Sequence, residues 1–392
     1  MAIIIVALVL SFLVIIHELG HFLAARKSSI TVEEFGIGYP PKALSLTKLL
    51  GSSKLLNSSS FLRKCIARIT HSKTELTINW IPFGGFVRMA GETPSLEHEH
   101  RPSVGDFLAA SIWQRLFVIC AGVVVNFVFG IIAFTIVFSK TGIPETIPGA
   151  RIAVIADGSP AAQAHIPVGV QIFGFTFDNT YVETPEITDV QRVVSEHLGQ
   201  TAEVKTSDIC SGLVCDGQQE FQVYLRTKEE TPEDQGSLGV GFDQIVFQQY
   251  PWYEMPFRGT VKGLEQAVEL SKLILLALVN VGRELTHGKV SQDVAGPVGI
   301  VYQAQQGQFF DQGFLSILSF AGVLSINLAI MNILPFPPLD GGRAMTTILE
   351  VIIGKKRSRK VEYYANYAGY IILILLIVLI TFSDIGKIIF GG

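Results

Sequence analysis

Residues 2–25 read AIIIVALVLSFLVIIHELGHFLAA, and His17-Glu18-Leu19-Gly20-His21 inside that run decides how the rest of the chain is read. The run from Ile3 to Leu23 is otherwise almost wholly apolar and about long enough to cross a bilayer. In a helix, two imidazoles four residues apart lie on one face, where they can share a Zn²⁺ ion. Ionisable groups in hydrocarbon are costly, so a cluster of them points to function. The expectation is a metal site built within a membrane.

Composition supports the membrane. The 392 residues are 49% hydrophobic and only 16% charged, and the mean hydropathy is +0.43. The net charge of −4 and the lack of a long Lys/Arg patch give no reason to propose a nucleic-acid partner. Four segments are long and apolar enough to span: residues 2–25, 112–139, 314–334 and 364–382. A fifth, residues 264–281, carries Glu265, Glu269 and Lys272 and has its apolar residues on one side. It reads as an amphipathic helix lying on the membrane surface.

Charge sets the expected topology. No Lys or Arg precedes the first apolar run, whereas Arg26 and Lys27 follow it, the reverse of a signal peptide. By the positive-inside rule the N-terminus lies outside and residue 26 onward lies in the cytoplasm. The link between the third and fourth spans carries Arg343, Lys355, Lys356, Arg357, Arg359 and Lys360, so it too is expected in the cytoplasm. Residues 140–313 then lie outside. Of the four cysteines, Cys65 falls on the cytoplasmic side, Cys120 inside the second span, and Cys210 and Cys215 outside. There an oxidising compartment permits a disulfide across a hairpin; two free thiols are the alternative.

A catalytic zinc usually takes three protein ligands and keeps one position for water. The candidate for the third is Asp340, in Asn332-Ile333-Leu334-Pro335-Phe336-Pro337-Pro338-Leu339-Asp340-Gly341-Gly342, just past the third apolar run. The first and third spans run in the same direction, which brings His17, His21 and Asp340 to one depth near the cytoplasmic face. The prolines stop the helix, and Gly341-Gly342 allow a sharp turn after Asp340. An Asp here is otherwise a capping or turn residue. His98 and His100, flanking Glu99, read as a solvated loop; His71, His165, His197 and His287 are isolated.

These residues resemble the site-2 protease family of intramembrane zinc metalloproteases, and most closely its bacterial RseP-type branch. His17-Glu18-x-x-His21 matches the zinc motif of the family. Asn332-x-x-Pro335-x-Pro337-x-Leu339-Asp340-Gly341 matches its second signature, with the aspartate ligand. Pro82-Phe83-Gly84-Gly85-Phe86-Val87-Arg88-Met89-x-Gly91-Glu92 is similar to a family segment in a β-hairpin that dips into the membrane beside the active site. Leu76–Ile81 does alternate as a strand should. Gly296-Pro297-Val298-Gly299-Ile300 is similar to a segment ahead of the third span. Ala121-Gly122-Val123-Val124-Val125-Asn126-Phe127 resembles a second-span motif that usually has proline where Val123 stands. Residues 150–226 resemble a PDZ domain, with a first helix beginning at Ser159-Pro160 and a strand over residues 166–172. Gly236-Ser237-Leu238-Gly239-Val240 stands where the peptide-binding loop is expected.

The resemblance implies a polytopic α-helical membrane protein with four transmembrane helices, a membrane-associated β-hairpin and one inserted extracytoplasmic PDZ domain of α+β type. The division it implies is 1–25, 26–111, 112–139, a PDZ domain over 140–255, an amphipathic region over 256–313, then 314–334, 335–363 and 364–392. It implies Zn²⁺ on His17, His21 and Asp340, Glu18 as general base, and Asn332 on the substrate backbone or oxyanion. Substrates would be single-pass membrane proteins, trimmed earlier by another protease, in a bacterial inner membrane. Two rival readings are a non-catalytic PDZ-bearing membrane scaffold and a metal transporter. Intact Glu18 speaks against the first. The lack of further spans and of inverted repeats speaks against the second.

Overall fold

The computed structural model describes residues 2–47, 74–92, 103–146, 149–211, 214–232, 235–287, 296, 299, 302, 305 and 313–390. The readings of Cys65, His71, His98, Glu99 and His100, and most of the segment from Gly296 to Ile300, lie outside these residues. The chain forms two units, Met1–Lys140 with Tyr253–Gly392, and Thr141–Trp252.

The first unit opens with α1 (Ala2–Lys27), whose last turn holds Arg26 and Lys27 at the carbonyl end of the helix dipole. Its apolar residues face two ways: Ile3, Ile4, Leu8 and Phe12 are exposed, while Leu13, His17, Gly20 and His21 are buried. Next, β1 (Val32–Ser45) pairs antiparallel with β2 (Glu75–Met89). Phe35 lies opposite both Val87 and Leu76, and Ile37 opposite both Gly85 and Ile78. The first half of β1 therefore has a neighbour on each side, and residues 85–89 form an edge of this sheet among the described residues. The alternation read at 76–81 does build strand. The second long helix, α2 (Ile112–Thr141), closes a core of Phe22, Ala25, Val32, Met89, Phe107, Val118 and Ile119 against α1 and the strands.

The second unit carries β3 (Ile143–Thr146), β4 (Ala150–Ile155), α3 (Pro160–Gln163), β5 (Gln171–Phe177), β6 (Thr180–Glu183), α4 (Ile187–Glu196), β7 (Thr201–Ser207), β8 (Ile209–Ser211), β9 (Val214–Asp216), β10 (Gln219–Tyr224), β11 (Val240–Phe242) and β12 (Ile245–Gln248). Its main sheet runs β10-β7-β5-β4-β11, with β6 on β5. Ile152, Ile172, Phe175, Val190, Val193, Val204 and Leu225 form the core. As read from sequence, Ser159 caps α3 by accepting from the Ala162 N–H, with Pro160 in the first turn. The strand read over 166–172 starts only at Gln171, because the chain turns at Pro167–Gly169, where Gly169 has φ +97°. β8 and β9 pair so that Cys210 lies opposite Cys215. Directly opposed antiparallel positions lie within the Cα separation a disulfide spans.

The chain then returns to the first unit through α5 (Met255–Thr286), α6 (Phe314–Ile333), α7 (Asp340–Ile353) and α8 (Lys355–Phe390). Four helical stretches, Ala2–Lys27, Ile112–Thr141, Phe314–Ile333 and Lys355–Gly386, are long and apolar enough to cross a membrane. They match the four spans read from sequence. α5 is not among these four stretches, in keeping with its reading as an amphipathic helix and not a span. It packs along α2 and α6 through a stripe of small residues. Gly259 meets Ser139 and Thr135, Gly263 meets Ile131 and Phe134, and Ala267 is buried with Phe134 and Ile326. Small residues let helix backbones approach closely. The link after the third span is also more ordered than its polar composition suggests. α7 buries Thr346 and Thr347 while exposing Ile348, Val351 and Ile352, the pattern of a helix lying at an interface.

Candidate active site

Two helices and one sharp reversal of chain build the site. On α1, His17 and His21 are one turn apart, their rings 4.7 Å apart at the centroids and nearly perpendicular. α6 ends at Ile333, and residues 334–339 reverse the chain; the Phe336 N–H donates to the Leu334 carbonyl and the Leu339 N–H to the Phe336 carbonyl. Asp340 is then the first residue of α7. Gly341 and Gly342 do not form the turn that their sequence suggested. They lie inside the first turn of α7, where a methyl at Gly341 would run into the carbonyl oxygens of Ile333 and Leu334. The glycines are there for close approach, because the helix start is pressed onto the end of α6.

The three candidate ligands converge. His17 Nε2 lies 2.9 Å from Asp340 Oδ2, His21 Nε2 lies 3.2 Å from the same oxygen, and the two Nε2 atoms are 3.0 Å apart. Tetrahedral zinc with bonds near 2.05 Å sets its ligand atoms about 3.3 Å apart, so the triangle is close to the size of one face of that tetrahedron. The donor set, two imidazoles and a carboxylate, is that of a catalytic zinc site. Both histidines are buried. The other described histidines play no part here: His197 stacks on Phe177 and His287 hydrogen-bonds to the Arg283 carbonyl.

Glu18 lies beside the cluster, half-buried. It interacts with His17, His21 and Asp340, and the Val87 backbone N–H donates to its carboxylate. The edge strand reaches it because Gly84 and Gly85 have no side chains to hold α1 away; Gly85 stands against Ile15 and the Glu18 side chain. Asn332 is half-buried in the last turn of α6 and takes no part in the hydrogen bonds that join the ligand set.

Other residues shape the site that the sequence reading did not assign to it. Gly20 faces the Ala121–Gly122 backbone, and a Cβ there would lie 2.6 Å from the Ala121 oxygen. Gly122 faces the imidazoles, where a Cβ would lie 2.5 Å from His21 Nε2 and 2.8 Å from His17 Nε2. The His21 Nδ1–H donates to the Val118 carbonyl at 2.8 Å. This leaves Nε2 free for a metal, the usual way a protein fixes the tautomer of a ligating histidine. Asn126, fully buried one turn beyond Gly122, places its side-chain amide 3.5 Å from His17 Nδ1. A lone amide in an apolar span is expensive, and this cost was the available signal.

Ion pairs brace α7 behind the ligand. Arg343, one turn after Asp340, meets Glu92 at 2.7 Å. Arg115 in the first turn of α2 makes a two-pronged bond to Glu350, at 2.8 and 2.9 Å.

Comparison with known proteins agrees with this geometry. The chain is 26% identical to the zinc metalloprotease RasP of Bacillus licheniformis, over 98% of this chain and 99% of that one. It is 24% identical to the regulator of sigma-W protease RasP of Bacillus subtilis, over 96% of each. The profile of peptidase family M50 matches residues 5–53 and 53–376, taking in both the paired histidines and Asp340. The chain belongs to peptidase family M50, the site-2 proteases, and is a zinc metalloprotease with four helices able to cross a membrane.

Proposed function

We propose that this protease cuts peptide bonds within or near the transmembrane segments of single-pass membrane proteins, with His17, His21 and Asp340 as zinc ligands and Glu18 as general base. The observation that carries the reading is the convergence of three ligand atoms, from a spanning helix and the end of another, with a carboxylate beside them. His17, His21 and Asp340 would hold the zinc, which when bound would supply a water of lowered pKa and polarisation of the scissile carbonyl. Glu18 takes the proton from the attacking water and passes it to the leaving amine. The Val87 N–H holds the Glu18 carboxylate in place. Asn332 hydrogen-bonds the substrate backbone or the developing oxyanion.

A helix buries its own carbonyls in hydrogen bonds, so the substrate must unwind before it is cut. The edge at residues 85–89, which ends beside Glu18, offers backbone groups with which an extended substrate can pair as an added strand. The Thr141–Trp252 unit is read as a PDZ domain on the extracytoplasmic side that excludes bulky substrates. Substrates are therefore stubs left by an earlier protease, such as trimmed anti-sigma factors or signal-peptide remnants. Arg26, Lys27 and the basic cluster at 355–360 support an orientation with the N-terminus outside, and the family resemblance supports a bacterial inner membrane. Membership of a peptidase family leaves the scaffold reading without support.

The test compares purified wild type with Glu18→Gln on a single-pass stub in liposomes, with zinc measured on both. The variant is expected to keep zinc and lose cleavage. Cleavage at the wild-type rate by the variant overturns the assignment of Glu18.

A further inference from the structure

The two histidines differ in what holds their second nitrogen. An imidazole that gives Nε2 to a metal carries its proton on Nδ1, and this N–H needs an acceptor. His21 has the Val118 carbonyl. His17 Nδ1 faces the side chain of Asn126, whose Nδ2 lies nearer at 3.5 Å. The amide oxygen Oδ1 points elsewhere, buried and without a hydrogen-bond partner among the described residues. In a metal-loaded site this arrangement sets two donors against each other and leaves a buried acceptor unused, both of which are costly.

A half-turn of the amide removes both defects. It brings Oδ1 to the Nδ1–H of His17 and takes it out of the position where nothing donates to it. We propose that Asn126 is a positioning residue for the metal centre, accepting the Nδ1–H of His17 through Oδ1 and so holding Nε2 toward the metal. The inference rests on the reading of His17 as a ligand.

The surroundings fit this role. Asn126 is fully buried in the apolar span α2, where an amide with no task would be selected against on cost alone. Its backbone carbonyl accepts from Ser325 Oγ of α6 at 2.8 Å, which fixes the residue between α1 and α6. Gly122, one turn earlier on the same face of α2, leaves room for the two imidazoles. One face of α2 therefore serves both ligands: Val118 orients His21, Gly122 makes space, and Asn126 orients His17.

Zinc affinity, measured by competition with a chelator on the full-length protein in detergent, tests the proposal. Asn126→Leu keeps the branched shape and removes the acceptor; its affinity is expected to fall by about 10- to 100-fold, the usual effect of losing such a partner. Asn126→Asp keeps an acceptor at the same place and is expected to bind zinc within a few-fold of wild type. The cobalt-loaded forms give a second readout, with the visible spectrum changed in Asn126→Leu and preserved in Asn126→Asp. Thermal unfolding of the metal-free forms checks that each variant folds, and Asn126→Ala replaces the leucine variant if that one does not. Wild-type affinity in the leucine or alanine variant overturns the proposal, as does an aspartate variant as weak as they are. A wild type that binds no zinc overturns the ligand assignment itself, and this inference with it.

Discussion

Replacing Gly122 by alanine separates the stability of the fold from the geometry of the site, because it acts on the two with different force. The added methyl would lie 2.5 Å from His21 Nε2 and 2.7 Å from His17 Cε1, where ordinary contact begins at 3.4 Å. One or both imidazoles must therefore move by roughly 0.7–0.9 Å, the shortfall in those distances. A displacement of about 1 Å at a reacting centre costs on the order of 100-fold in rate. On stability, alanine in a helix interior gains up to about 1 kcal/mol over glycine, set against about 1–3 kcal/mol for overpacking. The expected variant is folded, within about 2 kcal/mol of wild type, and on the order of 100-fold slower in cutting a single-pass stub. The assay pairs that cleavage rate with thermal unfolding and zinc content on one preparation. Wild-type rate and zinc content in Gly122→Ala would refute the claim that α2 sets the positions of the imidazoles.

Two further perturbations probe the far side of the site. Gly341→Ala is expected to abolish detectable cleavage and reduce zinc content, since its Cβ meets backbone carbonyls that cannot rotate away; a variant with normal zinc content would show that α7 can shift without moving Asp340. Arg115→Ala leaves the half-buried Glu350 without its partner, and is expected to destabilise by about 3 kcal/mol, the lower end for a buried pair, as read by thermal unfolding. Replacing both residues by methionine should recover most of that loss, and a double variant as unstable as the single would refute the ion-pair explanation.

The candidate ligands were legible in the sequence because they rest on local rules. Two histidines at i and i+4 share a helix face whatever surrounds them, and clusters such as Arg26-Lys27 report sidedness without knowledge of packing. What was not legible depends on contacts between helices. Gly122 and Asn126 lie in an apolar run whose spacing does not say which residue faces His17. The glycines after Asp340 were misread because a turn and a close approach both call for glycine, and only the position of the Ile333 and Leu334 carbonyls decides between them. That α5 docks on α2 was not legible because Gly259 and Gly263, which make the contact, lie just upstream of the window set by Glu265, Glu269 and Lys272.

His17 and Asp340 meet across 323 residues of chain. At about 5–20 residues per second, the ribosome needs roughly 15–65 seconds to make Asp340 after His17. Throughout that interval the growing chain has its paired histidines and Glu18 in the bilayer but no aspartate to complete the set. Translation thus imposes its own waiting period: the newborn protein has its three-residue cluster unassembled until nearly its last helix is made.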